Sequence, residues 1–138
     1  MENKKIFIIE DDANLLYGLE SQFAADEFEV ATATGAEELE ELMETLRDFE
    51  PDSIILDLIL PKIDGFEIIK KLKSDDELND KQIFIFTDLS DEDSRQRSLQ
   101  LGADYIFFKD DFDTFEFAEK VKRIIAVNKK SVDRDYEE

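Results

Sequence analysis

The residues that could do chemistry in this chain stand at the ends of short apolar runs. Glu10 and Asp11, followed by Asp12, come directly after Ile6-Phe7-Ile8-Ile9. Asp57 follows Ile54-Ile55-Leu56, Thr87 follows Ile83-Phe84-Ile85-Phe86, and Lys109 follows Tyr105-Ile106-Phe107-Phe108. In an open α/β sheet, ligands bind beyond the carboxyl ends of the strands. If each run is a strand of one such sheet, the fold gathers residues that are far apart in the chain into one crevice. Three carboxylates in a crevice repel one another, and a hard divalent cation resolves that repulsion. Mg²⁺ takes oxygen ligands in octahedral geometry and keeps some of its waters. A lysine amine and a threonine hydroxyl opposite the metal would hold the other oxygens of a phosphoryl group. Such a set suits the transfer of phosphate onto a carboxylate. Taken singly, each acidic position has a plainer explanation, because the chain has 37 acidic residues and Asp suits the loop or cap after a strand. Taken together, each ending a separate run, they do not.

The elements that must position these residues follow from two alternating periods. The four runs are short, rich in β-formers and apolar on both faces, which is the pattern of buried parallel strands. A weaker strand is expected over residues 28–33. Between the strands lie helical stripes: Leu15, Leu16, Leu19 and Phe23; then Ala36, Leu39, Leu42, Met43 and Leu46, with Thr34 and Glu37 as a capping box; then Phe66, Ile69 and Leu72. A fourth helix is expected over residues 91–101 with Ser90 as N-cap and a thin apolar face of Leu99 and Leu101. A fifth, over about 112–128, carries Phe117, Val121, Ile124 and Ile125. Five βα units in this order require a parallel sheet with helices on both faces, the doubly wound α/β class. One domain over residues 1–130 and a charged, flexible tail over 131–138 complete the expected organisation.

Composition narrows the function classes. The 138 residues include 17 basic and 37 acidic side chains, a formal charge of -20, with no Cys and no His. This excludes disulfides, thiolate nucleophiles, imidazole bases and the usual zinc sites. So acidic a surface argues against direct binding of nucleic acid or of anionic lipid. No apolar run approaches the roughly 20 residues that cross a bilayer, and no signal-peptide pattern opens the chain. A cytoplasmic location is expected. Other phosphate chemistries fit worse. There is no glycine-rich phosphate loop ending in Gly-Lys-Ser/Thr, and Glu10-Asp11-Asp12 occupies the place of a dinucleotide-binding glycine turn. An aspartyl-phosphate phosphatase would carry a second carboxylate two positions after the first, where this chain has Ile59.

The chain resembles the receiver domain of two-component response regulators, over about residues 4–127. The resemblance is carried by FIIEDD, LDLILPKIDG, IFIFTD and LGADYIFFKD, and by the spacings from Asp57 to Thr87 and from Thr87 to Lys109. It implies a flavodoxin-like sheet in strand order 2-1-3-4-5, with Asp57 as phosphoacceptor, Thr87 as switch hydroxyl and Lys109 as phosphate-binding amine. It further implies that Glu10, Asp11, Asp57 and the backbone carbonyl of Ile59 hold Mg²⁺, or Mn²⁺ in its place, with Asp11 a direct ligand and Glu10 acting through water. The implied partners are a histidine kinase or histidine phosphotransfer protein and a downstream protein target, with the chain a monomer or weak dimer. Such a protein phosphorylates itself from its donor and loses the phosphate slowly. It is not a conventional turnover enzyme. The alternative is a degenerate receiver that serves only as an interaction module.

Three departures from the family pattern motivate that alternative. Lys109 is followed by Asp110 rather than Pro; a cis bond before a non-Pro residue costs about 2.5–4 kcal/mol, so a trans bond is expected. The usual aromatic switch position holds Ile106, while Tyr105 should point to the opposite face. Asp88 follows Thr87 where a small residue is usual, and it should narrow the approach to the acceptor. Gly65 is expected to supply dihedrals that Asp64 cannot adopt, and Pro61 to stiffen the loop after Asp57. Gly102 is expected to close the fourth helix.

Overall fold

The structure is a computed structural model that describes the backbone of residues 4–137 and the side chains of residues 4–128. Strands β1 (Lys5–Ile9), β2 (Glu29–Ala33), β3 (Ser53–Leu56), β4 (Gln82–Thr87) and β5 (Tyr105–Phe108) alternate with helices α1 (Ala13–Ala25), α2 (Leu39–Phe49), α3 (Gly65–Ser74), α4 (Glu92–Leu101) and α5 (Thr114–Glu137). The strands form one parallel sheet in the order β2-β1-β3-β4-β5. β1, β3 and β4 are the interior strands, and their apolar residues are buried on both faces. No helix among the described residues is long and apolar enough to cross a membrane.

Alternation along the strands divides the core in two. Phe7, Ile9, Ile54, Leu56, Ile83 and Ile85 meet α2 and α3 on one face, with Ile106 and Leu101 packed at the margin. Ile6, Ile8, Ile55, Phe84 and Phe86 meet Leu19 and Phe23 of α1 and Phe117, Ala118, Val121 and Ile125 of α5 on the other. Phe86 and Phe117 stack with centroids 3.9 Å apart. Each such side chain, fully buried, contributes about 1.5–3 kcal/mol. Two buried layers are therefore what holds the strand ends in register. Tyr105 lies on the α1/α5 face, stacked on Phe84, and Ile106 lies on the α3/α4 face, so the two do point opposite ways.

The helix starts correct the sequence reading in two places. The N-cap of α4 is Asp91, not Ser90: its carboxylate accepts the Ser94 N–H at 3.0 Å, the cap-to-N3 spacing that Ser90 lacks. Thr34 and Glu37 do hydrogen-bond to the local backbone, but they close the loop before α2 and not the helix itself. The helix starts at Leu39, behind Glu38, which makes no side-chain cap. Between them Gly35 sits at φ 83°, and a Cβ there would lie 2.8 Å from the Leu60 side chain, so this turn must finish before a helix can begin. Gly102 ends α4 at φ 119°, as expected. The expected boundary near residue 130 falls inside α5, and the side chains of residues 131–138 lie outside the described residues.

Candidate functional site

The strand ends converge as the topology requires. The Asp57 N–H donates to the Ile9 carbonyl at 3.1 Å and the Glu10 N–H to the Ala33 carbonyl at 3.0 Å, which extends the ladder by one residue at each position. On the other side of the sheet the Lys109 N–H donates to the Thr87 carbonyl at 2.8 Å. Backbone bonds, not loops, therefore set the places of Glu10, Asp57, Thr87 and Lys109. The Lys109–Asp110 peptide is trans, as expected for a non-proline successor.

Lys109 crosses the pocket to two acids. Its Nζ lies 2.8 Å from Asp57 Oδ2 and 2.9 Å from Glu10 Oε1. Glu10 is 2% exposed and Asp57 4%, so this is a buried pair of carboxylates bridged by one ammonium. Each remaining carboxylate oxygen has a backbone donor: the Asp12 N–H on Glu10 Oε2 at 3.0 Å and the Ile59 N–H on Asp57 Oδ1 at 3.1 Å. Burial pushes the Glu10 carboxyl up to about 7, against the pull of the Asp12 N–H and Lys109, with the Asp57 charge adding to the rise. Burial alone would lower the Lys109 amine, but its bonds to Asp57 and Glu10 outweigh that and raise it.

Glu10, Asp11 and Asp57 each place a carboxylate oxygen within 4.8 Å of the others. Asp11 is exposed at the rim while the other two form the floor. Three hard oxygen donors around one point, with net negative charge left after Lys109 is counted, fit a divalent cation. Thr87 is fully buried, and its Oγ1 accepts the Leu89 N–H at 3.2 Å. Asp88 is exposed beside it. Ile59 is 53% exposed, whereas Leu89 is half-buried against the α2/α3 core.

Gly65 serves this site for a reason other than the expected one. Its φ is not in the left-handed region; instead a Cβ there would stand 2.4 Å from Leu58 Cα and 3.0 Å from the Asp57 carbonyl oxygen. The start of α3 lies directly on the acceptor segment, and only glycine permits that approach. The backbone donors of Asp12, Ile59 and Leu89 were not legible in the sequence, because every non-proline residue carries an N–H and side-chain type does not mark which one will be used.

The doubly wound parallel sheet thus carries an acid pocket bridged by a lysine at its strand ends. The chain belongs to the response regulator receiver domain family, whose model matches residues 6–122. It is 33% identical over 128 residues to the transcriptional regulatory protein PrrA of Mycobacterium leprae, which covers 92% of this chain and 51% of that protein. The chain thus spans about half the length of the curated relatives it matches. Among solved structures, a putative response regulator from Chloroflexus aurantiacus superposes with a TM-score of 0.76 at 26% identity, covering 91% of this chain and 99% of that one. The phosphorylated cyanobacterial phytochrome response regulator RcpA superposes with a TM-score of 0.72 at 29% identity, covering 88% and 91%.

Proposed function

We propose that this chain is a phosphorylation switch in which Asp57 takes a phosphoryl group from the phosphohistidine of a histidine kinase or histidine phosphotransfer protein and signals by conformational change to a downstream protein. The observation that carries this reading is the Lys109 ammonium held 2.8 Å from the Asp57 carboxylate, in a buried pocket shared with Glu10 and Asp11. An Asp57 carboxylate oxygen attacks phosphorus while the phosphorus–nitrogen bond to the donor imidazole breaks, and the electron pair returns to that nitrogen. The product is a mixed anhydride. It loses the carboxylate charge that Lys109 now pairs with and gains three phosphoryl oxygens to which the same ammonium can turn. The Thr87 hydroxyl accepts from Leu89 and keeps its proton free, so it can donate to a phosphoryl oxygen when the segment after β4 moves inward.

Glu10, Asp11, Asp57 and the Ile59 carbonyl would hold Mg²⁺, or Mn²⁺ by the same oxygen donors. When bound, the cation neutralises charge on the transferring phosphoryl group. We assign the receiver unit to residues 1–130 and the charged tail to 131–138, working in the cytoplasm as a monomer or weak dimer, with no direct contact to nucleic acid or membrane. RcpA is a response regulator in its phosphorylated form, and PrrA is a transcriptional regulatory protein; both names support a phosphorylated switch with a downstream target. The protein stores one phosphoryl group and releases it slowly. Transfer from a radiolabelled phosphohistidine protein tests the reading: label should move to the parent with Mg²⁺ and not to D57N. Equal labelling of the two would overturn it.

A further inference from the structure

Arg97 makes an unusual choice of partner. In a chain with 37 acidic residues, on a helix whose first turn carries Glu92 and Asp93, its guanidinium lies over the Phe66 ring, 4.1 Å from the centroid. Arg95, two positions earlier, takes the ordinary course and pairs with Glu92 at 3.6 Å. Helix α4 has little else to hold it. Ser98 is its one buried residue and turns its hydroxyl back onto the Ser94 carbonyl, while Leu99 is 39% exposed. A planar cation over an aromatic face is attractive and keeps its charge in water, so Arg97 holds α4 to α3 without requiring an apolar helix face.

The other end of this contact reaches the phosphoacceptor segment. Phe66 is buried in the first turn of α3, directly after Gly65. The Gly65 N–H donates to the Leu58 carbonyl at 3.2 Å, and there is no space between the Gly65 and Leu58 backbones for even a methyl group. Leu58 is the neighbour of Asp57, and the Ile59 N–H sits on Asp57 Oδ1 at 3.1 Å. A group that takes over that oxygen competes with the Ile59 N–H for it. A movement of Leu58 toward α3 would meet Gly65, which has no room to give, and Phe66 is the next residue in the helix.

We infer that Arg97 is a positioning residue that couples the Asp57 segment to α4 through Phe66. The coupling itself is independent of phosphorylation; its use as a signal rests on the phosphoacceptor reading above. Hydrogen exchange on the full chain tests both parts separately. Without phosphate, R97M should raise exchange in α4 and also across residues 58–66, by about two- to fivefold, the range expected for an exposed cation–π contact. R97K should lie between R97M and the parent, and R95M should affect α4 alone. In NMR spectra the Arg97 Nε–H should show a ring-current shift that disappears in F66L. Unchanged exchange at 58–66 in R97M, or no such shift, would overturn the inference. With acetyl phosphate and Mg²⁺, the parent should alter α4 exchange on phosphorylation, and R97M should lose most of that response at equal Asp57 labelling; an equal response would overturn the coupling. Failure of the parent to take up phosphate would instead count against the phosphoacceptor reading, with the phosphate-free arm still deciding for or against Arg97.

Discussion

Replacing Lys109 by Met separates two demands on one pocket. Lys109 Nζ sits 2.8 and 2.9 Å from two acids that are almost wholly buried. At about 4 Å between charge centres and an effective dielectric of about 20, one ammonium–carboxylate pair is worth roughly 4 kcal/mol before hydration is counted. Methionine keeps the length of the side chain and removes the charge. In chelator at about pH 8, the variant must leave two buried carboxylates facing each other or protonate Glu10, whose carboxyl already stands at about 7 with Lys109 present, and breaking a buried pair in this way costs about 3–5 kcal/mol. The Lys109 side chain is 16% exposed, so water relieves part of the loss and the lower end applies. A loss near 3 kcal/mol lowers the melting temperature of a domain this size by about 10 °C. With Mg²⁺ the comparison reverses, because the cation no longer competes with an ammonium for Glu10 and Asp57. Recovering about 1.5–3 kcal/mol of that competition tightens Mg²⁺ binding about 10- to 100-fold. Thermal unfolding in chelator and across a MgCl₂ titration, with calorimetric titration of the metal, reads both effects. A K109M protein as stable as the parent in chelator that binds Mg²⁺ no more tightly would refute the reasoning. The same variant should also be phosphorylated more slowly, since the phosphoryl oxygens lose their ammonium.

Further expectations follow from the surrounding residues. The Glu10 carboxyl, raised to about 7 from its ordinary 4.5, keeps its proton in the fold where the unfolded chain has lost it, so its contribution is full below about 4.5 and gone once the pH passes about 7. In chelator, E10Q should therefore gain stability relative to the parent by about 2–3 kcal/mol between pH 5 and pH 8; a flat or opposite difference in denaturant melts would contradict this. Gly65→Ala would place a Cβ 2.4 Å from Leu58 Cα and should lose about 3 kcal/mol and slow phosphorylation, and a loss under about 0.5 kcal/mol would show that the acceptor segment yields easily. Hydrolysis of the Asp57 phosphate needs a water in line with phosphorus, and neither Ile59 nor Leu89 offers a group to orient one. The phosphate should last many minutes, and I59N or L89E should shorten it by roughly tenfold; decay in seconds in the parent, or no change in either variant, would show that these side chains do not control the water.

Much of the architecture was legible because burial on both sheet faces leaves continuous apolar runs. Ile6 to Ile9 and Ile83 to Phe86 could be read as interior parallel strands from side-chain type alone, and the residue that ends each run follows from where the apolar character stops. Glu10, Asp57, Thr87 and Lys109 stand at those stops, and the fold places them at the common end of the sheet. What escaped the sequence was decided by packing between segments. Thr34 and Glu37 have the spacing of a helix cap, but the collision of a Cβ at Gly35 with Leu60 fixes a turn there and delays α2 to Leu39. Gly65 reads as a dihedral requirement, yet what demands glycine is the backbone of Leu58 pressed against it. Ser90 and Asp91 are adjacent cap residues, and only the Asp91 carboxylate reaches the Ser94 N–H. Arg97 could be read only as a charge on an exposed helix, because nothing in its own neighbourhood points to Phe66.

The central claim is that Asp57 is a phosphoacceptor, and the most direct measurement is the intact mass of the protein after incubation with acetyl phosphate and Mg²⁺, with peptide mapping of the modified residue. The parent should gain one phosphoryl group located on Asp57, D57N should gain none, and chelator should suppress labelling of the parent, because the acidic surroundings of Asp57 repel an anionic donor. No gain in the parent with acetyl phosphate or with a phosphohistidine protein as donor, or a gain that persists in D57N, would contradict the account.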